Sequence, residues 1–144
     1  MYYVNQEQIH ARLQFVPTIT EAMRTLDRGS GNDGLLYYFA QERALHLAIE
    51  VITDVGSLLI DGFLMRDASS YEDIVDILRV EGVFSGELAA AYGSLIGERR
   101  SLTQHYMELD RSNPRTDHAA IADALEQFPG AVEAFMKKEL SGLA

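Results

Sequence analysis

The sequence has 144 residues, of which 47% are hydrophobic and 24% are charged, a balance typical of one globular domain rather than of a disordered chain. It contains no cysteine, which excludes disulfide scaffolds, thiolate zinc sites and cysteine nucleophiles. The formal net charge of −10 counts against a passive nucleic-acid-binding module, because general affinity for DNA or RNA comes from cations that contact phosphates. DNA binding is therefore not expected, whereas an enzyme with a small local basic site is compatible with this charge.

Five helical segments are predicted, because apolar residues recur every three or four positions along most of the chain. The first segment runs from about Asn5 to Leu26 and contains Pro17, where we expect a kink. The glycine-containing stretch DRGSGND separates it from the second segment. The second segment, Leu35 to about Met65, is the longest of the five.

The third and fourth segments begin with capping signals. Ser69 precedes Glu72 by three residues, the spacing of a capping box, and Gly82 is predicted to end the third segment. Ser85 is predicted to cap the fourth segment, which continues as one helix to about Asp110. A buried seam is predicted from four leucines at seven-residue intervals, Leu88, Leu95, Leu102 and Leu109.

The fifth segment, Ala119 to Leu140, follows the loop RSNPRTD and is interrupted at Pro129–Gly130. The connections between the five segments have the usual short lengths. Together the segments predict an all-α fold, a five-helix antiparallel bundle with a long central second helix, that forms a single domain over residues 1–144.

The second segment carries a narrow polar line on a helical wheel drawn at about 100° per residue. The line consists of Arg43, Glu50, Asp54, Ser57 and Asp61, with His46 at its margin. Nearly all other residues of this helix are apolar, more than a few short helices are expected to cover, and we therefore predict a homodimer built around it. The line itself is either a thin solvent-exposed stripe or the lining of a cleft that orients a cation or a substrate group.

Arg99 lies beside the leucine seam of the fourth segment. Arg99 and Tyr106 are seven residues apart and are predicted to follow one line along the helix, near the interior. An interior guanidinium needs acidic partners or an anionic ligand, because burial of a lone charge is costly. Arg99 is therefore either a structural ion-pair partner of Glu50 or Asp54, or a functional residue.

The stretches RRSLTQHY, QERALHLAIEVITDVGSLLIDG and YEDIVDILRVEGV together resemble the HepT-like HEPN proteins. Within this family the sequence is most similar to the YutE-type branch of small bacterial cytosolic proteins, and the likeness covers nearly the whole chain. The resemblance implies a HEPN-type bundle that dimerises with its sites in a cleft between protomers. HepT-type members are metal-independent ribonuclease toxins, and a minimal nucleotidyltransferase antitoxin neutralises them.

The antitoxin of that family adenylylates the tyrosine of an Arg-x4-His-x-Tyr motif. Arg99 and Tyr106 match this spacing, so the resemblance implies that Tyr106 is a modification target. Gln104 occupies the histidine position, and the histidine comes one place later as His105. The pairing of Arg99 with His105 and that of Arg100 with His105 are both open. The second restores the four-residue gap but loses the tyrosine match, and Arg100 is expected at the solvated surface.

RNA cleavage by attack of the 2′-hydroxyl needs a side chain that exchanges a proton near neutral pH, which histidine does and glutamine does not. Arg99 would stabilise the charge on the pentacoordinate phosphate. Residues six apart on a straight helix lie about 120° apart, so Arg99 and His105 cannot contact one phosphate from the same face. A catalytic site therefore needs a distortion near Gln104 or a cleft between two protomers.

Three hypotheses for the function follow. The first is a HEPN-type ribonuclease toxin with Arg99 and His105 as catalytic residues and with supporting residues Gln104, Glu50 and Asp54. The second is a non-catalytic homodimeric interaction protein on the same scaffold, in which Arg99 is only a salt-bridge partner. The third is a helical module that binds a small ligand or a nucleotide in the same cleft, for which no motif speaks.

Neither a metal, a cofactor nor a membrane segment is expected. The remaining histidines, His10, His46 and His118, have no ligand spacing and are interpreted as structural or surface residues. The longest stretch without Asp, Glu, Lys or Arg is the ten residues Leu88 to Gly97, and a membrane-spanning helix needs about 20. The N-terminal residues lack the pattern of a signal peptide, and we therefore expect a cytoplasmic protein.

Overall fold

The computed structural model describes residues 2–29 and 34–142, and these residues form helices and connecting loops without a strand. The helices are α1 (Gln6–Arg28), α2 (Leu35–Gly62), α3 (Tyr71–Val80), α4 (Gly86–Ile96), α5 (Arg99–Thr103), α6 (His118–Glu126) and α7 (Phe128–Ser141). A 3₁₀ turn, Tyr106–Glu108, follows α5. The all-α fold is confirmed: α1, α2 and α3 match the first three predicted segments, while the fourth and fifth are each divided.

The long helix α2 occupies the centre of the molecule and contacts α1, α3, α4 and α5. Helix α1 packs on both α2 and α6, and it begins where the Asn5 side chain accepts a hydrogen bond from the Gln8 backbone N–H at 3.1 Å. Pro17 lies within α1 without ending it. At its C-terminus, α2 ends at Gly62, three residues before the predicted boundary.

The predicted capping box of α3 was wrong by one residue. Ser70, not Ser69, is the N-cap, because its backbone is extended and its hydroxyl accepts a hydrogen bond from the Asp73 N–H at 3.0 Å. Asp73, not Glu72, reaches back and accepts hydrogen bonds from the backbone N–H and hydroxyl of Ser69. Hydrogen bonds from Arg66 and Ser69 hold the pKa of Asp73 well below its usual range.

The predicted continuous helix from Ser85 to Asp110 was also wrong. Ser85 caps α4 as expected, but α4 ends at Ile96, and α5 ends at Thr103. Gly97, which follows α4, is a poor helix former, and α5 closes where the N–H groups of Gln104 and His105 both bond to the carbonyl oxygen of Arg100. The leucine seam is consequently discontinuous: Leu95 is buried, whereas Leu88, Leu102 and Leu109 are only half-buried.

The bundle covers most of the apolar surface of α2 within one chain, which weakens the argument for a homodimer from that helix, although Leu35, Leu36 and Phe39 near its N-terminus are exposed. The buried apolar residues of α2 are Tyr37, Tyr38, Ala44, Leu45, Ala48, Ile49, Val51, Ile52, Val55, Leu59 and Ile60. Leu47 and Leu58 are half-buried. The five predicted segments pack more of α2 than expected because α1 and α3 both lie along it. The homodimer itself stays a prediction.

Helices α2 and α3 approach each other most tightly at Gly56. A Cβ atom at this position would lie 2.4 Å from Ile74 Cγ2 and 3.2 Å from Leu78 Cδ1. We expect Gly56→Ala to lower the free energy of unfolding by about 1–3 kcal/mol, because the added methyl group overfills a packed contact. Urea denaturation monitored by circular dichroism measures this change.

Gly130 is the matched control, since it is exposed in α7 and a Cβ atom there would meet no atom within 4 Å. Gly130→Ala is expected to raise the free energy of unfolding by about 0.4–1 kcal/mol, because alanine restricts the unfolded chain. Equal urea midpoints for the two variants would contradict the close packing of α2 against α3.

Candidate functional site

The polar line of α2 is accessible along its length. Its outer members Arg43, Ser57 and Asp61 are exposed, whereas His46, Glu50 and Asp54 are half-buried. The three half-buried side chains each contact a charged or polar group: His46 contacts Arg43 and Glu50, Glu50 contacts Arg99 of α5, and Asp54 contacts Arg12 of α1. The middle of the line is therefore the part that faces neighbouring helices.

Arg99 is held between α2 and the start of α3. Its Nε lies 3.9 Å from Oε1 of Glu50, and its guanidinium carbon lies 3.8 Å above the centre of the Tyr71 ring. The side chain is 26% exposed. The expectation of an acidic partner near the interior is confirmed, and the partner is Glu50 rather than Asp54. The aromatic face and the carboxylate hold the guanidinium in place, while its N–H groups remain free of hydrogen bonds within the described residues.

Hydrogen bonding distinguishes Arg99 from most arginines of the chain. Within the described residues, its guanidinium donates no hydrogen bond, and its Nε is buried. Arg100, which is exposed as expected, shares this property, whereas Arg111 and Arg115 each donate several hydrogen bonds to carboxylates. A guanidinium can donate two parallel hydrogen bonds to two oxygens of one anion. The N–H groups of Arg99 make no hydrogen bond within the described residues, and the side chain is half-buried.

Asp54, one of the two predicted partners of Arg99, contacts Arg12 of α1 instead. Its Oδ2 lies 3.4 Å from Nε of Arg12, which also donates to the side chain of Gln8. An open groove of about 340 Å³ lies between α1 and α2, and its lining includes Arg12, Glu50 and Asp54. Glu50 therefore both lines this groove and faces Arg99.

His105 and its neighbours lie on the turn that follows α5. The α5 helix ends because the N–H groups of Gln104 and His105 both bond to the carbonyl oxygen of Arg100, at 2.8 and 3.1 Å. Gln104 is exposed, and the His105 side chain is 54% exposed, with its Nδ1 3.7 Å from a carboxylate oxygen of Glu108. In the described part of the chain, no hydrogen bond or ion pair joins His105 to Arg99. The helix is distorted near Gln104, one of the two conditions for a joint site, but the distortion does not bring the two side chains into contact.

Tyr106 is half-exposed at 52% and begins the 3₁₀ turn. Its carbonyl oxygen accepts a hydrogen bond from Nη2 of Arg111 at 2.8 Å. The same guanidinium donates to Glu42 of α2 at 2.8 and 2.9 Å, which raises the pKa of Arg111 above its usual value. The turn that carries His105 and Tyr106 is thus attached to α2 through one arginine.

A second attachment lies farther along the same connecting segment, residues 104–117. Arg115 donates hydrogen bonds to both carboxylate oxygens of Glu98 and to both of Asp117. Hydrogen bonds to Asp117 and Glu98 raise the pKa of Arg115. We call the pairs Arg111–Glu42 and Arg115–Glu98 the two arginine attachments. Together they fix the path of the chain from α5 to α6.

The other predicted histidines have separate roles. His118 is buried, its Nε2 lies 2.8 Å from Oε1 of Gln41, and burial lowers its pKa, so it is a structural residue as expected. His10 is exposed on α1. His46 contrasts with both, because its Nε2 lies 3.3 Å from the Glu50 carboxylate that faces Arg99. In residues 2–29 and 34–142, no three His, Asp or Glu side chains are placed to hold a metal ion, and no helix could span a bilayer.

Comparison with known proteins identifies the family. Residues 13–132 match the family model described as "Ribonuclease HepT-like". The chain belongs to the HepT-like family. A relative named "Putative RNase YutE" from Bacillus subtilis (strain 168) is 33% identical to this HepT-like chain over 140 residues, which cover 97% of the chain and 95% of YutE.

Solved structures agree with this family. The structure of YutE, described as a cytosolic protein from Bacillus subtilis, superimposes with a TM-score of 0.84 over 97% of this chain and 96% of YutE. A toxin–antitoxin complex with AMP-PNP contains a chain with a TM-score of 0.77 and 14% identity, which covers 88% of this chain and 97% of that one. A tri-AMPylated Shewanella oneidensis HEPN toxin in complex with MNT antitoxin matches with a TM-score of 0.76 and 15% identity, over 88% of this chain and 96% of that one. The last two similarities establish a shared fold.

Proposed function

We propose that this HepT-like chain is a metal-independent ribonuclease whose single HEPN-type domain, residues 1–144, acts as the toxin of a toxin–antitoxin pair. The observation that carries the proposal is the position of Arg99, a half-buried guanidinium whose donors make no hydrogen bond within the described residues. Its role is to bind the scissile phosphate and to stabilise the charge that develops there. Family membership and the name of the relative YutE support RNA as the substrate.

The acidic total charge is compatible with this role because the anion-binding group is local. Arg99 and Arg100 are adjacent, and neither donates a guanidinium hydrogen bond to another described residue. Glu50, the carboxylate partner of Arg99, also lines the groove between α1 and α2. A net charge of −10 makes general attraction of RNA weak, so the affinity of the enzyme should depend on a few contacts close to the cleaved bond.

His105 supplies a proton transfer in this proposal. It lies two residues after the end of α5, and its exposure leaves the imidazole accessible to substrate. Gln104, Glu50 and Asp54 act as supporting residues: Glu50 orients Arg99, Asp54 orients Arg12, and Gln104 ends the helix so that His105 leaves the α5 surface. An imidazole transfers protons near neutral pH, whereas a carboxamide such as that of Gln104 does not.

The proposal is tested with purified protein in the presence of EDTA and an RNA labelled at one end. We expect cleavage to products that end in a 2′,3′-cyclic phosphate and a 5′-hydroxyl, since no metal-activated water takes part. In cells, induction of the wild-type chain should arrest growth and degrade RNA. RNA that stays intact at high protein concentration would overturn the ribonuclease proposal.

The alternative is a non-catalytic homodimeric protein that keeps the HEPN scaffold. The observation that favours it is the combination of Gln104 at the motif position with a His105 side chain that makes no contact to Arg99 in the described residues. In that case the ion pair of Arg99 with Glu50 is structural only. Harmless expression together with intact RNA supports this alternative.

Tyr106 is the proposed site of adenylylation by a nucleotidyltransferase antitoxin. Its side chain is half-exposed on the turn, and one structural neighbour is an AMPylated HEPN toxin bound to an MNT antitoxin. Coexpression with a nucleotidyltransferase encoded beside this chain should raise the intact mass of the protein in AMP-sized steps. Tyr106→Phe should abolish the steps, whereas Tyr3→Phe, at an exposed tyrosine outside the turn, should keep them. An unchanged mass of the wild-type chain would exclude adenylylation.

We further propose a cytoplasmic homodimer whose site lies in a cleft between protomers. YutE is described as cytosolic, which supports the compartment. Light scattering coupled to gel filtration should give about twice the chain mass of 16.1 kDa. A single-chain mass at micromolar concentration would contradict the dimer and would require the site to be complete in one protomer.

A further inference from the structure

His46 reaches the same carboxylate oxygen as Arg99. Its Nε2 lies 3.3 Å from Oε1 of Glu50, and Nε of Arg99 lies 3.9 Å from that oxygen. The four histidines of the sequence all lie in described residues, and only His46 contacts a partner of Arg99: His105 pairs with Glu108, and His118 bonds to Gln41. The fold thus brings to the candidate phosphate-binding guanidinium a histidine that lies 53 positions away in the sequence.

The surroundings of His46 assign its tautomer. Nη1 of Arg43 lies 3.2 Å from Nδ1 of His46, and a guanidinium can only donate hydrogen bonds, so Nδ1 is the acceptor. The proton of the neutral ring therefore lies on Nε2 and faces the Glu50 carboxylate. A carboxylate opposite one ring N–H fixes the tautomer and the orientation of the imidazole, as in catalytic triads.

The His46 side chain is accessible from solvent. The His46 side chain is 30% exposed, and Arg43, which occupies Nδ1, is an exposed residue that a substrate hydroxyl can displace. The charged groups around the imidazole are Arg43 and Glu50 on α2 itself and Arg99 on α5, which stacks on Tyr71 of α3. From α1, Arg12 faces Asp54, one turn farther along α2.

Cleavage of RNA without a metal requires two proton transfers, one from the attacking 2′-hydroxyl and one to the leaving 5′-oxygen. We infer that His46 is a catalytic residue of this site and performs the first transfer, an inference that rests on the proposed ribonuclease function. Nδ1 of His46 takes the 2′-hydroxyl proton while the 2′-oxygen forms a bond to phosphorus. The bond between phosphorus and the 5′-oxygen breaks, and the leaving oxygen takes a proton from protonated His105. Exchange with water then restores both rings.

The distribution of the two histidines explains how a chain with Gln104 in place of the motif histidine could retain the chemistry. His46 of α2 shares the Glu50 carboxylate with Arg99, and His105 follows α5, the short helix that begins with Arg99. The two imidazoles therefore come from different elements. Attacking and leaving oxygens lie on opposite sides of the phosphorus during in-line displacement, so proton-transfer groups on different elements suit the reaction.

The experiment compares wild-type protein with His46→Asn and with His10→Asn, an exposed histidine of α1 outside the site. Steady-state cleavage of a short RNA is measured from pH 5 to 9, and binding of the same RNA with 2′-O-methyl groups, which cannot be cleaved, is measured separately. We expect His46→Asn to lower kcat by about 10²-fold or more, to remove the limb of the pH profile that reports the base, and to leave the binding of the methylated RNA unchanged. His10→Asn should behave as wild type.

A second variant separates catalysis from folding. His46→Ala leaves a space beside Glu50, and we expect added imidazole to restore part of its kcat, which a merely structural role of His46 would not allow. Active wild-type protein with a fully active His46→Asn variant and an unchanged pH profile would overturn the inference and leave the ribonuclease function intact. Wild-type protein that does not cleave RNA at all would overturn the ribonuclease function and the catalytic role of His46 together.

Discussion

Replacement of Arg99 with alanine should lower kcat for RNA cleavage by about 10²–10³-fold, equivalent to about 3–4 kcal/mol of transition-state stabilisation. The reason is that Arg99 places uncommitted N–H donors at a half-buried position between Glu50 and Tyr71. These donors are oriented before the substrate binds, so they stabilise developing charge without reorganisation. Single-turnover cleavage of an end-labelled RNA by the purified variants measures the loss.

Two comparisons make this result specific. Arg100→Ala removes an adjacent exposed guanidinium of equal charge and should reduce kcat by less than about threefold, because a solvated charge contributes little. Arg99→Lys keeps the charge but loses the planar two-oxygen donor geometry and the stacking on Tyr71, and we expect it to restore only a minor part of the activity. Equal effects of the Arg99 and Arg100 substitutions would instead indicate a general electrostatic contribution.

Phe128→Ala should lower the free energy of unfolding by about 3–5 kcal/mol, a large part of the total for a domain of this size. Phe128 is fully buried, and its ring packs edge-to-face on Tyr92 at 5.5 Å between centroids and lies 6.3 Å from Phe84. Tyr92 in turn donates a hydrogen bond to the carbonyl oxygen of Ala124 at 2.7 Å. Phe128 therefore joins α7 to α4, the helix that leads into α5.

Urea denaturation measures the change, with Phe15→Ala as the matched control. Phe15 is 41% exposed on α1, so its truncation should cost less than about 1 kcal/mol. The Phe128 variant should also lose ribonuclease activity at temperatures where the wild type is folded, in parallel with its unfolding. A Phe128→Ala urea midpoint close to that of the wild type would contradict the packing of α7 on α4.

Several features of the site could be predicted from local sequence. Helical periodicity predicts the polar line of α2. A cation near the interior needs an acidic partner, which predicts that Arg99 pairs with Glu50 or Asp54, and the structure shows the pair with Glu50. These predictions succeeded because they depend on residues within a few turns of each other or on the chemistry of one charge.

Other features depend on residues far apart in the sequence. Glu42 and Arg111 are 69 positions apart, and nothing near either residue indicates that they pair. Tyr71 begins α3 and could not be assigned to Arg99 before the packing of α3 on α2 was known. The sequence alone gives His46 a structural or surface role, because its contact with Glu50 matters only once Arg99 is placed on the same carboxylate. Heptad spacing continues through Gly97 and predicts one continuous fourth helix, whereas α4 ends at Ile96 and a separate helix α5 begins at Arg99.

The two arginine attachments hold the turn that bears His105 and Tyr106 by interactions of a different kind from those that hold the helical bundle together. None of the residues 104–117 is buried, and the segment is joined to α2 and to the start of α5 through guanidinium–carboxylate pairs rather than through apolar packing. Ionic contacts near the surface weaken as electrolyte concentration rises, whereas apolar packing does not. Salt could therefore loosen the loop that bears His105 and Tyr106 while the helices stay assembled, which makes ionic strength a means of adjusting this molecule without unfolding it.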